Sequence, residues 1–223
     1  MPIRAFLFDF DGLILDTELA SRAGWELLYR EHGHELPADL WATLVGTRGD
    51  WDPMAHLEEL VGKPLEREAL NEHRYAHELE LIEAEELRPG IAEYLAAARR
   101  QGLKRAIVSS STTRWVDMHL QRLEEAVGWD AICTAENDAS RAKPSPALYL
   151  EALERLEVTA GEAVAFEDSP NGVRAAKAAG VFCVAVPNDV TRDLGLEEAG
   201  ADLVLNSLAD LPPEELLGRF AEE

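Results

Sequence analysis

Two carboxylates one residue apart, Asp9 and Asp11, close the apolar run Phe6-Leu7-Phe8 and are followed by Gly12. Adjacent carboxylates repel, which calls for a divalent cation or a shared proton. Further along, Ser109-Ser110-Ser111 follows Ala106-Ile107-Val108, and Glu167-Asp168-Ser169 follows Val164-Ala165-Phe166. Between them lies Arg141-Ala142-Lys143-Pro144-Ser145-Pro146. Its Ser145-Pro146 reads as a helix cap with proline in the first turn, which puts Lys143 just ahead of a positive helix end. Carboxylate clusters gain from a divalent cation, whereas serine hydroxyls, backbone N–H groups and a lysine suit a phosphate. A site holding both reads as metal-assisted phosphoryl chemistry.

Each piece also has a plainer reading. Asp9 to Gly12 alone is equally a strand end running into an Asp-Gly turn. Ser109 to Ser111 can cap the following helix. Ser169-Pro170 is a good helix start, with Gly180 a good stop. A single Lys143 is most often a solvated surface residue. Their joint placement at successive strand ends favours the functional reading.

The elements that position these residues follow from periodicity. Ile3 to Phe8 is short, aromatic and branched, as a buried parallel strand is. In open α/β sheets ligands bind outside the carboxyl ends of such strands. Residues 37 to 86 read as helical segments separated by turns, with no strand signal. Beyond them come a helix (89–101), a strand (103–108), a helix (115–127) and a short strand (129–134). A helix (145–156), a strand (164–166), a helix (170–179) and strands at 181–186 and 202–205 complete the set. Such alternation argues for a parallel sheet with right-handed crossovers. A helical module is therefore inserted after the first strand, and Pro89-Gly90 marks its return to the core. Such an insertion is expected to close over the crevice and exclude water.

Composition narrows the function classes. At 223 residues and 47% hydrophobic content, the chain can bury a full core. Its formal net charge of -22 repels nucleic acid and anionic membrane surfaces, so neither is an expected partner. Residues 17 to 86 carry 17 Asp and Glu against 6 Lys and Arg, an asymmetry that sets them apart as a module. Cys133 and Cys183 sit in apolar runs and read as reduced core thiols. With neither a transmembrane run nor a signal-peptide pattern, a cytoplasmic location is expected. A chain this acidic is expected to be a soluble monomer.

With these residues in hand, the chain resembles the haloacid dehalogenase-like hydrolase superfamily, and within it the phosphatases and phosphomutases with a helical cap, including beta-phosphoglucomutase. The first motif is matched by Asp9-Phe10-Asp11-Gly12 with Asp16-Thr17, and the second by Ser109. Lys143-Pro144 with Pro146 matches the third, and Glu167-Asp168-Ser169-Pro170-Asn171-Gly172 the fourth. The similarity runs in family order over nearly the whole chain. It implies an α/β fold: a Rossmann-like parallel-sheet core over residues 1–16 and 87–223, with an inserted α-helical cap domain over 17–86. It further implies that Asp9 is the nucleophile forming an aspartyl-phosphate, and that Asp11 is the general acid and base. Magnesium is implied as cofactor, held by Asp9, the backbone carbonyl of Asp11, Asp168 and Glu167, the last direct or through water. Ser109 and the amide of Ser110 would hold the phosphate, and Lys143 would neutralise Asp9 and the transferring group. The substrate class implied is a small phosphorylated metabolite.

The insertion departs from the mutase pattern. Where beta-phosphoglucomutase carries a histidine after the first motif, this chain has Ser21, and in the substrate loop Leu44 to Asp50 the mutase lysine is replaced by Val45. Arg48 remains as a candidate for a second anionic group on the substrate, and Thr17 and Glu18 adjoin the catalytic strand, although helix capping by Thr17 is the simpler reading. A sugar phosphatase is therefore favoured and a phosphomutase is the alternative. His73 and His77 have zinc-ligand spacing without a third ligand in sight, and read as surface residues of an acidic module. Trp25, Trp41 and Trp51 either pack the small core of the insertion or line a pocket. A non-catalytic sensor or a receiver-like phospho-acceptor would not need the full set of motif residues.

Overall fold

Strand β1 (Ala5–Phe8) is buried along its whole length at the centre of the sheet in the computed structural model, which describes residues 2–44, 51–124 and 128–220. It pairs in parallel with β2 (Lys104–Ser109) on one side and β4 (Ala163–Glu167) on the other. Outward from β2 lies β3 (Ala131–Thr134), and outward from β4 lie β5 (Phe182–Ala185) and β6 (Leu203–Val204). The order β3-β2-β1-β4-β5-β6 means that the chain builds one half of the sheet and then crosses back over β1 to build the other. That reversal opens a crevice at the carboxyl ends of β1, β2 and β4.

Alternate residues of β1 feed two cores, because strand side chains alternate between faces. Ala5 and Leu7 join the core under α7 (Ala147–Leu156) and α8 (Pro170–Ala178). Phe6 and Phe8 join the core under α5 (Ile91–Gln101), α6 (Thr113–Arg122) and α9 (Pro213–Gly218). In the second core Phe8 stacks on Phe166 at 4.9 Å between ring centroids, and Phe6 and Tyr94 pack edgewise or tilted around them. The buried aromatics hold the strand whose end carries Asp9.

Between β1 and α5 lie α1 (Glu18–Glu31), α2 (Ala38–Ala42), α3 (Pro53–Val61) and α4 (Arg67–Glu83). They gather a small core of their own from Leu28, Tyr29, Met54 and Leu57. Asp52 caps α3 by accepting from the Met54 and Ala55 amides, and the Tyr29 hydroxyl donates to the Pro53 carbonyl at 2.8 Å. The two links back to the sheet run side by side: Leu15 and Leu87 form an antiparallel bridge, and the Arg88 amide donates to the Ile14 carbonyl at 3.0 Å.

Several boundaries differ from the sequence reading. Helix α6 begins at Thr113, capped by Thr112 rather than by the serines, because Thr112 Oγ1 accepts from the Trp115 amide. It ends at Arg122, and residues 125–127 lie outside the described set. Pro146, not Ser145, sits at the cap position of α7, and the Ser145 hydroxyl has only a long 3.4 Å contact with the Ala147 amide. Ser169 does cap α8, accepting from the Gly172 amide. Trp41 is buried, His73 pairs with Glu31 of α1 at 3.1 Å, and Cys133 and Cys183 are buried free thiols. No helix among the described residues is long and apolar enough to cross a membrane.

Candidate active site at the carboxyl ends of the central strands

Asp9, Glu167 and Asp168 are all buried and each offers a carboxylate oxygen within 4.8 Å of the others. Asp9 follows β1, Glu167 ends β4, and the parallel register of the two strands sets their carboxylates side by side. Lys143, only 1% exposed, reaches Asp9 Oδ1 at 2.6 Å and Glu167 Oε1 at 2.7 Å. Burial alone would lower its ammonium, but the two carboxylates outweigh that and hold it above its ordinary value. One lysine does not balance three buried carboxylates. Burial and the Asp9 charge push the Glu167 carboxyl up against the opposing pull of Lys143, and the same two causes push Asp168 well up.

A divalent cation fits this cluster. Asp168 Oδ1 and Glu167 Oε2 are buried and accept no hydrogen bond among the described residues, and a cation on them would remove the charge imbalance. The surroundings are shaped to leave those oxygens in place. Gly12 has φ +78°, and a Cβ there would lie 2.1 Å from Asp168 Oδ2; a Cβ on Gly172 would lie 1.7 Å from Glu167 Oε2. Asn188, in the loop after β5, donates from Nδ2 to Asp168 Oδ2 at 2.8 Å, and its own oxygen is fixed by the Val190 and Thr191 amides. Tyr149 of α7 donates its hydroxyl to Glu167 Oε1. Arg88 donates to the carbonyls of Gly12 and Pro187, tying the first turn after β1 to the loop that carries Asn188.

Asp11 keeps its carboxylate out of this cluster. Its Oδ1 accepts from Thr17 Oγ1 at 2.9 Å and from the Trp115 indole Nε1 at 2.7 Å. Its Oδ2 accepts from Ser111 Oγ at 2.6 Å and from Ser109 Oγ at 3.2 Å. Two carboxylates that are near neighbours in sequence thus have different surroundings, cationic for Asp9 and hydroxyl-rich for Asp11.

A cavity of about 360 Å³ opens over both. Its floor includes Asp9, Asp11, Lys143, Ser110 and Ser111, and its opposite wall comes from α1 and α4 through Ser21, Trp25, Arg74 and Glu78. Glu78 is 6% exposed and pairs with Arg74 at 2.5 Å. Burial pushes its carboxyl up, with Arg74 opposing. The Arg74 guanidinium lies over the Trp25 ring at 4.8 Å. Trp25 therefore both packs the insertion and lines the cavity, which the sequence left open.

The structure brings Asp9, Asp11, Ser109, Ser110, Lys143, Glu167, Asp168 and Thr17 to one place. Two of them differ in detail from the sequence reading. Thr17 stands at the cap position of α1 without a side-chain cap bond, because its hydroxyl is used on Asp11. Ser109 is fully buried with its hydroxyl on Asp11, while Ser110 and Ser111 face the cavity, and Ser110 Oγ accepts from the Lys143 amide at 3.1 Å. Arg48 and Val45 lie outside the described residues. Sequence reasoning named Ser111 within the serine run without a role of its own, and it missed Trp115, Tyr149 and Asn188. Asn188 follows a strand end, as the other site residues do, and that position was a usable signal; Trp115 and Tyr149 look like ordinary amphipathic helix residues.

A model of the haloacid dehalogenase-like hydrolases matches residues 3–180. The chain is 43% identical over 209 residues to the Bacillus subtilis protein named "Putative phosphatase YhcW", covering 94% of each. It is 29% identical over 231 residues to the phosphorylated carbohydrates phosphatase of Thermotoga maritima, covering 99% of each. Among solved structures, a CbbY variant from Rhodobacter sphaeroides in complex with xylulose-(1,5)bisphosphate superposes with a TM-score of 0.74 at 30% identity, over 94% of this chain and 96% of that one.

Proposed function

From the chain's membership of the haloacid dehalogenase-like hydrolase family, as a phosphoric monoester hydrolase, we propose that it is a magnesium-dependent phosphatase of a small phosphorylated metabolite, a sugar phosphate, working through an aspartyl-phosphate on Asp9. The observation that carries this reading is the Asp9–Lys143–Glu167 contact set beside Asp168, under a cavity walled by both the sheet and the helical insertion. The names of the relatives support the substrate class, since they include a carbohydrate phosphatase and a sugar bisphosphate complex.

Asp9, Glu167 and Asp168, with the backbone carbonyl of Asp11, would hold magnesium, which when bound supplies charge neutralisation for the phosphoryl oxygens. Lys143 neutralises Asp9, so that two anions can approach each other. A carboxylate oxygen of Asp9 attacks phosphorus, the bond from phosphorus to the sugar oxygen breaks, and that oxygen takes a proton from Asp11. Water then attacks the phosphorus of the acyl phosphate and gives its proton to Asp11. Inorganic phosphate departs and the Asp9 carboxylate is restored. Ser110 and Ser111, which line the cavity, would bind the phosphoryl oxygens. Residues 17–86 act as a cap whose closure excludes bulk water, swinging on the paired links at Leu15 and Leu87.

A screen of phosphorylated metabolites with magnesium, run beside Asp9→Asn, tests the reading. Phosphate release from one or more sugar phosphates, lost in Asp9→Asn, is the expected result. Conversion of a sugar 1-phosphate to its 6-phosphate without free phosphate would replace it with the phosphomutase alternative.

A further inference from the structure

Among the described donors to Asp11, Trp115 alone comes from a helix face. Its indole Nε1–H meets Asp11 Oδ1 at 2.7 Å, while its ring contacts two other aromatic rings. His119, one turn later in α6, packs edgewise on it at 4.3 Å between centroids, and is itself stacked with Phe10 at 6.3 Å. Tyr75 of α4 contacts it at 5.9 Å from the insertion. His119 is 3% exposed, and neither of its ring nitrogens has a hydrogen-bond partner among the described residues, so in this packing it serves as an apolar wall for the indole. The half-buried indole N–H needs an acceptor, and here the Asp11 carboxylate at the cavity supplies it.

We propose that Trp115 is a positioning residue for Asp11, and that its ring contact with Tyr75 links the orientation of that carboxylate to the seating of the helical insertion. The inference rests on the hydrolase reading, in which Asp11 protonates the leaving oxygen. Of the four donors among the described residues, three are hydroxyls that rotate freely about their C–O bonds. The indole N–H has a fixed direction, set by the packing of His119 and Tyr75. It therefore defines where the Asp11 carboxylate stands when the substrate arrives.

The test exploits the leaving group. A sugar alkoxide needs a proton as the phosphorus–oxygen bond breaks, whereas p-nitrophenolate leaves without one, so loss of acid positioning affects the first and spares the second. In Trp115→Phe, which keeps an aromatic ring and removes the N–H, kcat/KM for the best sugar phosphate of the screen is expected to fall by about tenfold or more. With p-nitrophenyl phosphate it is expected to fall by less than about threefold, with KM for both substrates little changed. Tyr75→Leu keeps the N–H and removes the ring contact, and should show the same selectivity more weakly; it remains informative if Trp115→Phe fails to fold. Equal losses on both substrates, or no loss on the sugar phosphate, would overturn the assignment. Absence of phosphate release from either substrate by the wild-type chain would overturn the hydrolase reading, and the inference with it.

Discussion

Replacing Lys143 by methionine keeps most of the side-chain volume and removes its charge, which isolates the electrostatic role of the residue. Lys143 is 1% exposed and contacts Asp9 at 2.6 Å and Glu167 at 2.7 Å. Removing one partner of such a buried set costs about 3–5 kcal/mol, because the remaining charges stay out of water without compensation. For a chain of this size, 1 kcal/mol corresponds to about 2–4 °C, so Lys143→Met should melt roughly 10 °C lower in the presence of a chelator. The deficit should depend on pH with a definite sign. Without the ammonium, Glu167 is pushed further up than it already is, so the folded state holds a proton that the unfolded chain releases above about pH 4.3. In wild type Glu167 already keeps its proton up to about 8, so the two chains lose stability alike below that, and the gap to wild type should widen as pH rises above about 8. Circular dichroism melts at several pH values measure this directly. Activity should drop by about 10²–10³, the usual loss when a group that stabilises transition-state charge is removed. A variant that melts within a degree or two of wild type at pH 8 would refute the charge-compensating role of Lys143 in this cluster.

Other consequences are equally direct. Gly172→Ala places a methyl where Glu167 Oε2 now sits, and should weaken magnesium binding by at least tenfold in titration calorimetry while α8 keeps its helicity. Asn188→Ala removes the Nδ2 donor to Asp168 Oδ2 and should cost about 10–100-fold in magnesium affinity with only a modest change in melting temperature; unchanged affinity would mean that Asn188 does not orient Asp168. Burial lowers the His119 imidazole, with Asp11 pulling the other way, so the unfolded chain takes up a proton below about pH 6.5 that the folded chain refuses. That portion of stability is present above pH 6.5 and lost as pH falls, and His119→Phe should narrow the drop in melting temperature between pH 7 and 5.

The sheet and its site were legible because each strand end carries its own chemistry. A run such as Phe6-Leu7-Phe8 has few alternatives to a buried strand, and once three such ends are placed in parallel, Asp9, Ser109 and Glu167 meet, with Lys143 arriving from the loop after β3. What stayed hidden depends on side-chain direction across long sequence separations. Thr17 precedes a helix and its sequence position favours a cap, yet a carboxylate within reach took its hydroxyl instead. Ser109 and Ser111 lie two residues apart and both turn to Asp11, leaving Ser110 and Ser111 on the cavity. Trp115 and Tyr149 fit the apolar faces of their helices, and only the fold reveals that the polar tip of each ends on a carboxylate. Arg74 and Glu78 of α4 likewise reach the cavity only because α4 packs on α1, where a Cβ on Gly24 would lie 2.9 Å from the Arg74 side chain.

The central claim is that Asp9 carries the phosphoryl group, and intact-protein mass spectrometry of an acid-quenched reaction tests it most directly. With a turned-over sugar phosphate and magnesium, the wild-type chain should gain the mass of one phosphoryl group. Peptide mapping should place that group on Asp9, and Asp9→Asn should show neither the adduct nor phosphate release. An adduct on another residue, or turnover that survives Asp9→Asn, would contradict the account.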